Sequence, residues 1–333
     1  ANSARVTFWP LHIATWLMRL LLVLAAVAVL SFALAKLSPV DPINAYLGAD
    51  IARAGPEQRA LIAEKWGLDQ SVQAQFLHWL KNVLDGDLGY SMTYNAPVID
   101  VIAARFWTSL PLTGLAWLFS GIFGFALGIL AGARPNSWLD RGIRLYAYVL
   151  ASAPTFWIAI LLLIVFSVGL GWMPVCCAGP IGVVPQDVTW LQSLHHLILP
   201  LVALSVLGVA QIALHTRAKM VEVMQSDFAL YARAQGASRR EIAIRHGARN
   251  AALPALTVLF ASLGELFGGS ILAEQVFAYP GLGGATVEAG IRGDVPLLLA
   301  LALFFSFFVF TGNAIADGLY RVVDPRMHGE DAG

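Results

Sequence analysis

What most constrains this chain is a recurring run of apolar residues long enough to cross a lipid bilayer. About 20 such residues in a helix span a hydrocarbon core of about 30 Å. Six stretches meet that length: 14–37, 109–133, 142–173, 195–215, 251–277 and 296–320. The chain is 58% hydrophobic and only 13% charged, against about 25% charged in soluble chains, so it lacks the polar surface to cover a globule in water. Its 21 basic residues balance 21 acidic ones, which argues against a nucleic-acid binder. Two cysteines are too few for a disulfide-stapled secreted scaffold. The expectation is an all-α integral membrane protein of about six transmembrane helices, embedded in lipid.

Two of these stretches need comment. The third is too long for an upright span and contains Pro154, which predicts a kink, or a length of helix along the surface before entry. The first ends in Ala33-Leu34-Ala35, similar to a signal-peptide cleavage site. We read it as a retained anchor, with Arg19 reaching back to the interface.

Basic residues set the orientation. Arg134, Arg141 and Arg144 follow the second stretch, and Arg217, Lys219, Arg233, Arg239, Arg240, Arg245 and Arg249 follow the fourth. The connection 174–194 has no Lys or Arg. Positive-inside therefore predicts cytoplasmic termini and an external segment over 38–108. Within that segment Leu61, Ile62, Trp66, Phe76, Trp79, Leu80 and Leu84 recur at helical spacing. They predict a small external scaffold of short amphipathic helices, broken at Gly67-Leu68-Asp69.

The sequence is also informative in what it lacks. No lysine follows a glycine, so the chain has no Walker-type phosphate loop. It has neither a His-Glu-x-x-His zinc site nor a Gly-x-Ser-x-Gly elbow. Gly268-Gly269-Ser270 has only His328 after it, beyond the last span. A catalytic role is not supported.

The connection 217–250 is long for a helix–helix link and rich in helix formers. Gly236 interrupts it, and Ser238-Arg239-Arg240-Glu241 then has the spacing of a capping box. This predicts a helix, a glycine turn and a second helix. Ala232, Ala234 and Ala237 would let such a knuckle press into a groove on another protein. A basic loop held at anionic headgroups would explain the charges, but not the small residues or the cap.

These residues resemble a known pattern. Ala232-Arg233-Ala234-Gln235-Gly236, followed by Arg249-Asn250-Ala251-Ala252-Leu253-Pro254, is similar to the signature loop of type I ABC importer permeases. The resemblance extends along the chain, to the first permease subunit of the dipeptide, oligopeptide and nickel family. Ser38-Pro39-Val40-Asp41-Pro42, Trp66-Gly67-Leu68-Asp69-Gln70, Asp85-Gly86-Asp87-Leu88-Gly89-Tyr90-Ser91, the run from Glu274 to Gly283, and Asp324-Pro325-Arg326 match it in order. The loop opens Leu230-Tyr231-Ala232 where the family often has Glu-Ala-Ala, and Val40 replaces a usual glycine.

The resemblance implies a type I ABC importer transmembrane fold, with an anchor and external scaffold over 1–107, a permease domain over 108–325 and a cytoplasmic tail over 326–333. It implies a bacterial inner-membrane location and three kinds of protein partner: a homologous second permease, two cytoplasmic ATPase subunits and an extracytoplasmic solute-binding protein. ATP and Mg would be bound by the ATPases, with no cofactor in this chain. Ala232, Arg233, Ala234, Gln235, Gly236, Ala237, Ser238, Arg239 and Glu241 would form the ATPase-coupling element. The implied cargo is a di- or oligopeptide, with nickel or a metal chelate as the alternative.

Polar residues at membrane depth are candidates for the pathway. Glu265 in Gly264-Glu265 fits either a helix–helix hydrogen bond or a contact with cationic cargo. Asn313 shares a helix face with Asp317. Glu274, Tyr279 and Pro280 are expected to form an external gate or turn. Cys176, Cys177, His195 and His196 bracket the external loop, and thiolate with imidazole suits soft metals. Against a metal site, adjacent cysteines converge poorly on one ion, and an external loop is open to oxidation. An ion-coupled secondary transporter is the rival class, but the chain shows neither an internal repeat nor a cluster of midplane carboxylates.

Overall fold

The computed structural model describes residues 8–38, 55–57, 60–61 and 69–323. Two units emerge, Ala1–Phe106 with Ala285–Phe310, and Trp107–Gly284 with Thr311–Gly333.

In the first unit, α1 (Phe8–Leu37) is mostly apolar, and Ala14–Leu37 is long and apolar enough to cross a membrane. Helix α2 (Val72–Leu84) starts at Ser71, whose hydroxyl accepts from the Ala74 N–H. Its Phe76 and Trp79 pack on Phe32 of α1 with ring centroids 5.3 and 5.7 Å away. Of the rest of the expected scaffold, residues 62–68, with the break at Gly67-Leu68, lie outside the described residues. A short antiparallel ladder follows, β1 (Tyr90–Ser91) with β2 (Ala96–Pro97). Asp294 anchors it. This buried carboxylate accepts from Ser91 Oγ at 2.6 Å and Thr93 N at 2.9 Å. It also accepts from Leu297 N at 3.3 Å, capping α12 (Val295–Val323). Tyr94 donates to Glu288 of α11 (Leu282–Arg292) at 2.8 Å. Burial, then that bond, pushes the Tyr94 phenol up to about 12.

The second unit is built on α3 (Val98–Ala133, from Trp107 onward) and α6 (Trp190–Gln225). Gly124, Gly128 and Gly132 of α3 lie so close to α6 that a β-carbon on each would sit 2.9, 2.8 and 2.9 Å from the carbonyls of Val209, Ala213 and Arg217. Small residues four apart let two backbones touch. Between these helices in sequence come α4 (Trp138–Ser152) and α5 (Thr155–Leu162), the latter continuing as a π-turn over Leu163–Gly169. The two are bent by 108°, because Ala153 before Pro154 is extended. Helix α4 is amphipathic, with Asp140, Ile143 and Ala147 buried and Trp138, Leu145 and Val149 exposed. The long third stretch thus folds as two helices meeting at a sharp bend before Pro154. Leu112, Ala116, Leu197, Leu201, Phe277 and Tyr279 form part of one buried core.

Apolar length in the sequence predicts about six spans. Among the described residues four helices are long and apolar enough to cross a membrane, or five if the bent α4–α5 pair is one span. The stretch 251–277 is not one helix but α9 (Ala248–Ala261), a 3-10 turn (Ser262–Glu265) and α10 (Leu266–Val276). At the break the Leu259 carbonyl accepts from both the Trp117 indole and the Ser262 hydroxyl, each at 2.7 Å.

Candidate functional site

After α6 the chain forms a knuckle. Ser226 caps α7 (Asp227–Ala234), its hydroxyl accepting from Ala229 N. Helix α7 ends in a paired motif: Gly236 N donates to Arg233 O at 2.9 Å and Ala237 N to Ala232 O at 3.0 Å. Gly236 has φ +89, the left-handed conformation this ending requires. Ser238 then caps α8 (Arg239–Ile242), accepting from Glu241 N at 3.2 Å. Only that half of the expected capping box forms. Glu241 pairs with Arg245 at 3.0 Å instead of reaching back, because the i,i+4 cation offers a charge-assisted bond.

The knuckle has its own core of Met220, Met224, Ala229, Ile242 and Ala243. Ala232 and Ala237 pack against it, so two of the three small residues expected to face another protein serve the local fold. Arg233 likewise turns inward and donates to the Met224 carbonyl at 2.8 Å, tying the knuckle to the end of α6. What faces outward is Ala234, Gln235, Gly236, Ser238, Arg239 and Arg240, with Phe228, Leu230, Tyr231 and Ile244 as exposed apolar neighbours. The apolar members were not anticipated from sequence; their clue was apolar side chains within a basic segment. Large apolar groups thus stand exposed beside Arg239 and Arg240, a combination suited to contact with another protein.

A second constellation surrounds Glu274 of α10. Its carboxylate is buried, 1% exposed. Oε1 accepts from Ser109 Oγ at 2.7 Å and Ser270 Oγ at 3.0 Å, and Oε2 from Gly284 N at 2.9 Å. Ser109 in turn accepts from Leu282 N at 2.8 Å. The helix ends with Ala278 at φ +44 and Tyr279 N donating to Glu274 O at 2.8 Å. Tyr279 is buried and Pro280 half-buried. One carboxylate therefore organises the whole turn from Phe277 to Gly284, and its oxygens are occupied by protein donors.

Within the second unit a cavity of about 240 Å³ is lined by Thr113, Trp117, Ser120, Thr155, Gln211 and Ser262, among others. The hydroxyls of Thr113, Ser120 and Ser262 donate to backbone carbonyls, leaving their lone pairs open. The 3-10 break borders this cavity through Ser262. Glu265 ends that turn, and its side chain lies outside the described residues. Asn313 is exposed on α12.

The four residues of the metal expectation do not form a ligand set. Cys176 and Cys177 are bonded to each other, which removes both thiolates. His195 Nε2 meets the Trp172 carbonyl at 3.0 Å, and His196 Nδ1 the Cys176 carbonyl at 2.8 Å. Among the described residues no three His, Cys, Asp or Glu side chains converge on one point.

One ion pair escaped the sequence. Asp140, fully buried on α4, receives Arg217 Nε and Nη2 of α6, the latter at 2.9 Å. It also accepts from Asn136 N at 2.8 Å. Arg217 and Arg144 had counted only as markers of orientation. A lone acid among basic residues was the available signal.

Residues 124–329 match the family described as binding-protein-dependent transport system inner membrane component, and residues 12–113 match its N-terminal region. The chain belongs to this family. The oligopeptide transport system permease protein AppB of Bacillus subtilis (strain 168) is 34% identical over 306 residues, 92% of this chain and 95% of that protein. The glutathione transport system permease protein GsiC of Escherichia coli O6:H1 is 37% identical over 315 residues, 93% and 96% of the two chains. In fold, the permease resembles a chain of the MetNI methionine ABC transporter in an inward-facing form, with a TM-score of 0.54 at 16% identity. That match covers 68% of this chain and 97% of the other. The protein is thus an inner-membrane, multi-pass ABC importer permease, a non-enzymatic subunit that works with an ATPase and other transporter components.

Proposed function

We propose that this permease is half of an ATP-driven import pathway for di- and oligopeptides. It pairs with a homologous permease, two ATPase subunits that bind ATP and Mg, and an external solute-binding protein. The observation that carries this reading is the self-supporting knuckle. A short helix closed by Gly236 and re-capped by Ser238 presents Leu230, Tyr231, Gln235, Arg239 and Arg240 outward. It would seat in an ATPase cleft on the cytoplasmic side, with both termini on that same side. Arg233 would act as its tether to α6.

The cargo reading draws support from the peptide and glutathione names of the relatives. It also draws on the cavity, whose hydroxyl lone pairs suit the N–H donors of a peptide. In this reading Ser262, the adjoining Glu265 and Asn313 belong to the pathway, and the Glu274, Tyr279 and Pro280 turn holds its external end. Metal cargo and ion-gradient coupling gain no support from the relatives.

The test is uptake of a labelled tripeptide into proteoliposomes containing the whole transporter. Uptake should require ATP on the ATPase side and survive ionophores that collapse proton and sodium gradients. Uptake that follows an ion gradient without ATP would overturn the proposal.

A further inference from the structure

The only two cysteines of the chain are sequence neighbours, and they are bonded to each other. Neither the peptide pathway nor the ATPase contact uses them. Their surroundings are specific. Cys177 has φ +76, a left-handed conformation that a residue with a β-carbon seldom adopts. In that conformation its N–H donates to the Phe277 carbonyl at 2.9 Å. On the other side His196 Nδ1 donates to the Cys176 carbonyl at 2.8 Å, anchoring the pair to α6. Met173 and Ala178, flanking the pair, pack on the cluster that contains Phe277 and Tyr279. The bonded pair therefore sits as a clasp between the loop before α6 and the turn that Glu274 organises.

We propose that Cys176–Cys177 is a reversible thiol–disulfide site that sets how tightly this turn is held. Closing a ring through two adjacent residues restricts the backbone of both, and so fixes Cys177 where its N–H meets Phe277. Opening the ring lets Cys177 return to negative φ, where that hydrogen bond is no longer enforced. Both cysteines are half-buried, open to a small reagent. The reactant class is a dithiol. One of its thiolates attacks a cysteine Sγ, the S–S bond breaks, and the other Sγ leaves as a thiolate and takes a proton. The second thiol of the reagent then resolves the mixed disulfide. The pair gains two electrons and two protons, and the reagent loses them as it forms its own disulfide.

The consequence for transport, a looser external gate when the pair is reduced, rests on the proposed function above. The site itself is tested without it. Full-length permease in lipid nanodiscs is labelled with a maleimide, and its amide hydrogen exchange is followed, before and after dithiothreitol. The expected result is no adduct before reduction and two after. Exchange in the peptides over 171–184 and 273–284 should rise by about tenfold on reduction, as expected for loss of a local restraint, and fall again on re-oxidation. A Cys176→Ser, Cys177→Ser double variant should exchange at the reduced rate and ignore the reagent. Two adducts without any reductant, or unchanged exchange over 273–284 on reduction, would overturn the proposal. The wild-type comparison decides even if the double variant does not fold.

Discussion

At the scale of single residues, the buried carboxylate of Glu274 is the most demanding feature of the permease. Ser109, Ser270 and the Gly284 N–H converge on it, the Ser270 proton being shared with the Phe267 carbonyl at 3.0 Å. Removing one partner of a buried network leaves the others unsatisfied, at a cost of about 1–3 kcal/mol. Glu274→Gln should therefore lower the thermal midpoint of the detergent-solubilised protein, because its amide presents N–H to groups that themselves donate. Ser109→Ala should lower it less. A Glu274→Gln variant that melts with the wild type would show that the carboxylate does not organise the turn. The role of Glu274 as a turn residue was readable from its place before Tyr279-Pro280-Gly281. Its donors were not, since Ser109 lies 165 positions away in the chain and only the fold brings them together. Arg233 teaches the converse. Its position within a basic loop suggested a partner-facing cation, yet its nearest acceptor is the backbone of its own chain.

At the scale of elements, long apolar runs predicted helices well, because a backbone in lipid must satisfy its own hydrogen bonds. Pro154 disclosed the bend between α4 and α5 through its effect on Ala153. The break at Ser262–Glu265 was hidden within an unbroken apolar run. Trp117 supplies one of the hydrogen bonds at the break from another helix, and sequence order does not reveal it. The α3–α6 seam is the element-level feature most open to test. A β-carbon on Gly128 would press on the Ala213 carbonyl and the Thr216 side chain. Overpacking of this kind costs about 1–3 kcal/mol or more. Gly128→Leu should abolish the monodisperse species on size exclusion, whereas Gly142→Ala, in open space on α4, should leave it intact. Equal behaviour of the two variants would contradict backbone contact between α3 and α6.

At the scale of the whole molecule, the sequence disclosed both the membrane class and the family, because apolar length and ordered motifs survive without a structure. The surface the knuckle presents was less legible. Of the three alanines expected at the partner contact, Ala232 and Ala237 are half-buried against the local core and Ala234 is exposed, with Leu230, Tyr231 and Ile244 exposed nearby. Exposed apolar residues beside Arg239 and Arg240 make this projection the part of the described surface most suited to contact with another protein. The central claim is that this projection couples the permease to its ATPase. The most direct measurement is affinity purification of tagged permease from native membranes, with ATP hydrolysis measured on what co-purifies. Wild type should bring down ATPase subunits. Gly236→Val, which forces a branched residue into the left-handed position, should cut the recovered hydrolysis by about tenfold. A permease that purifies alone, or a Gly236→Val variant that recovers ATPase and activity at the wild-type level, would contradict the account.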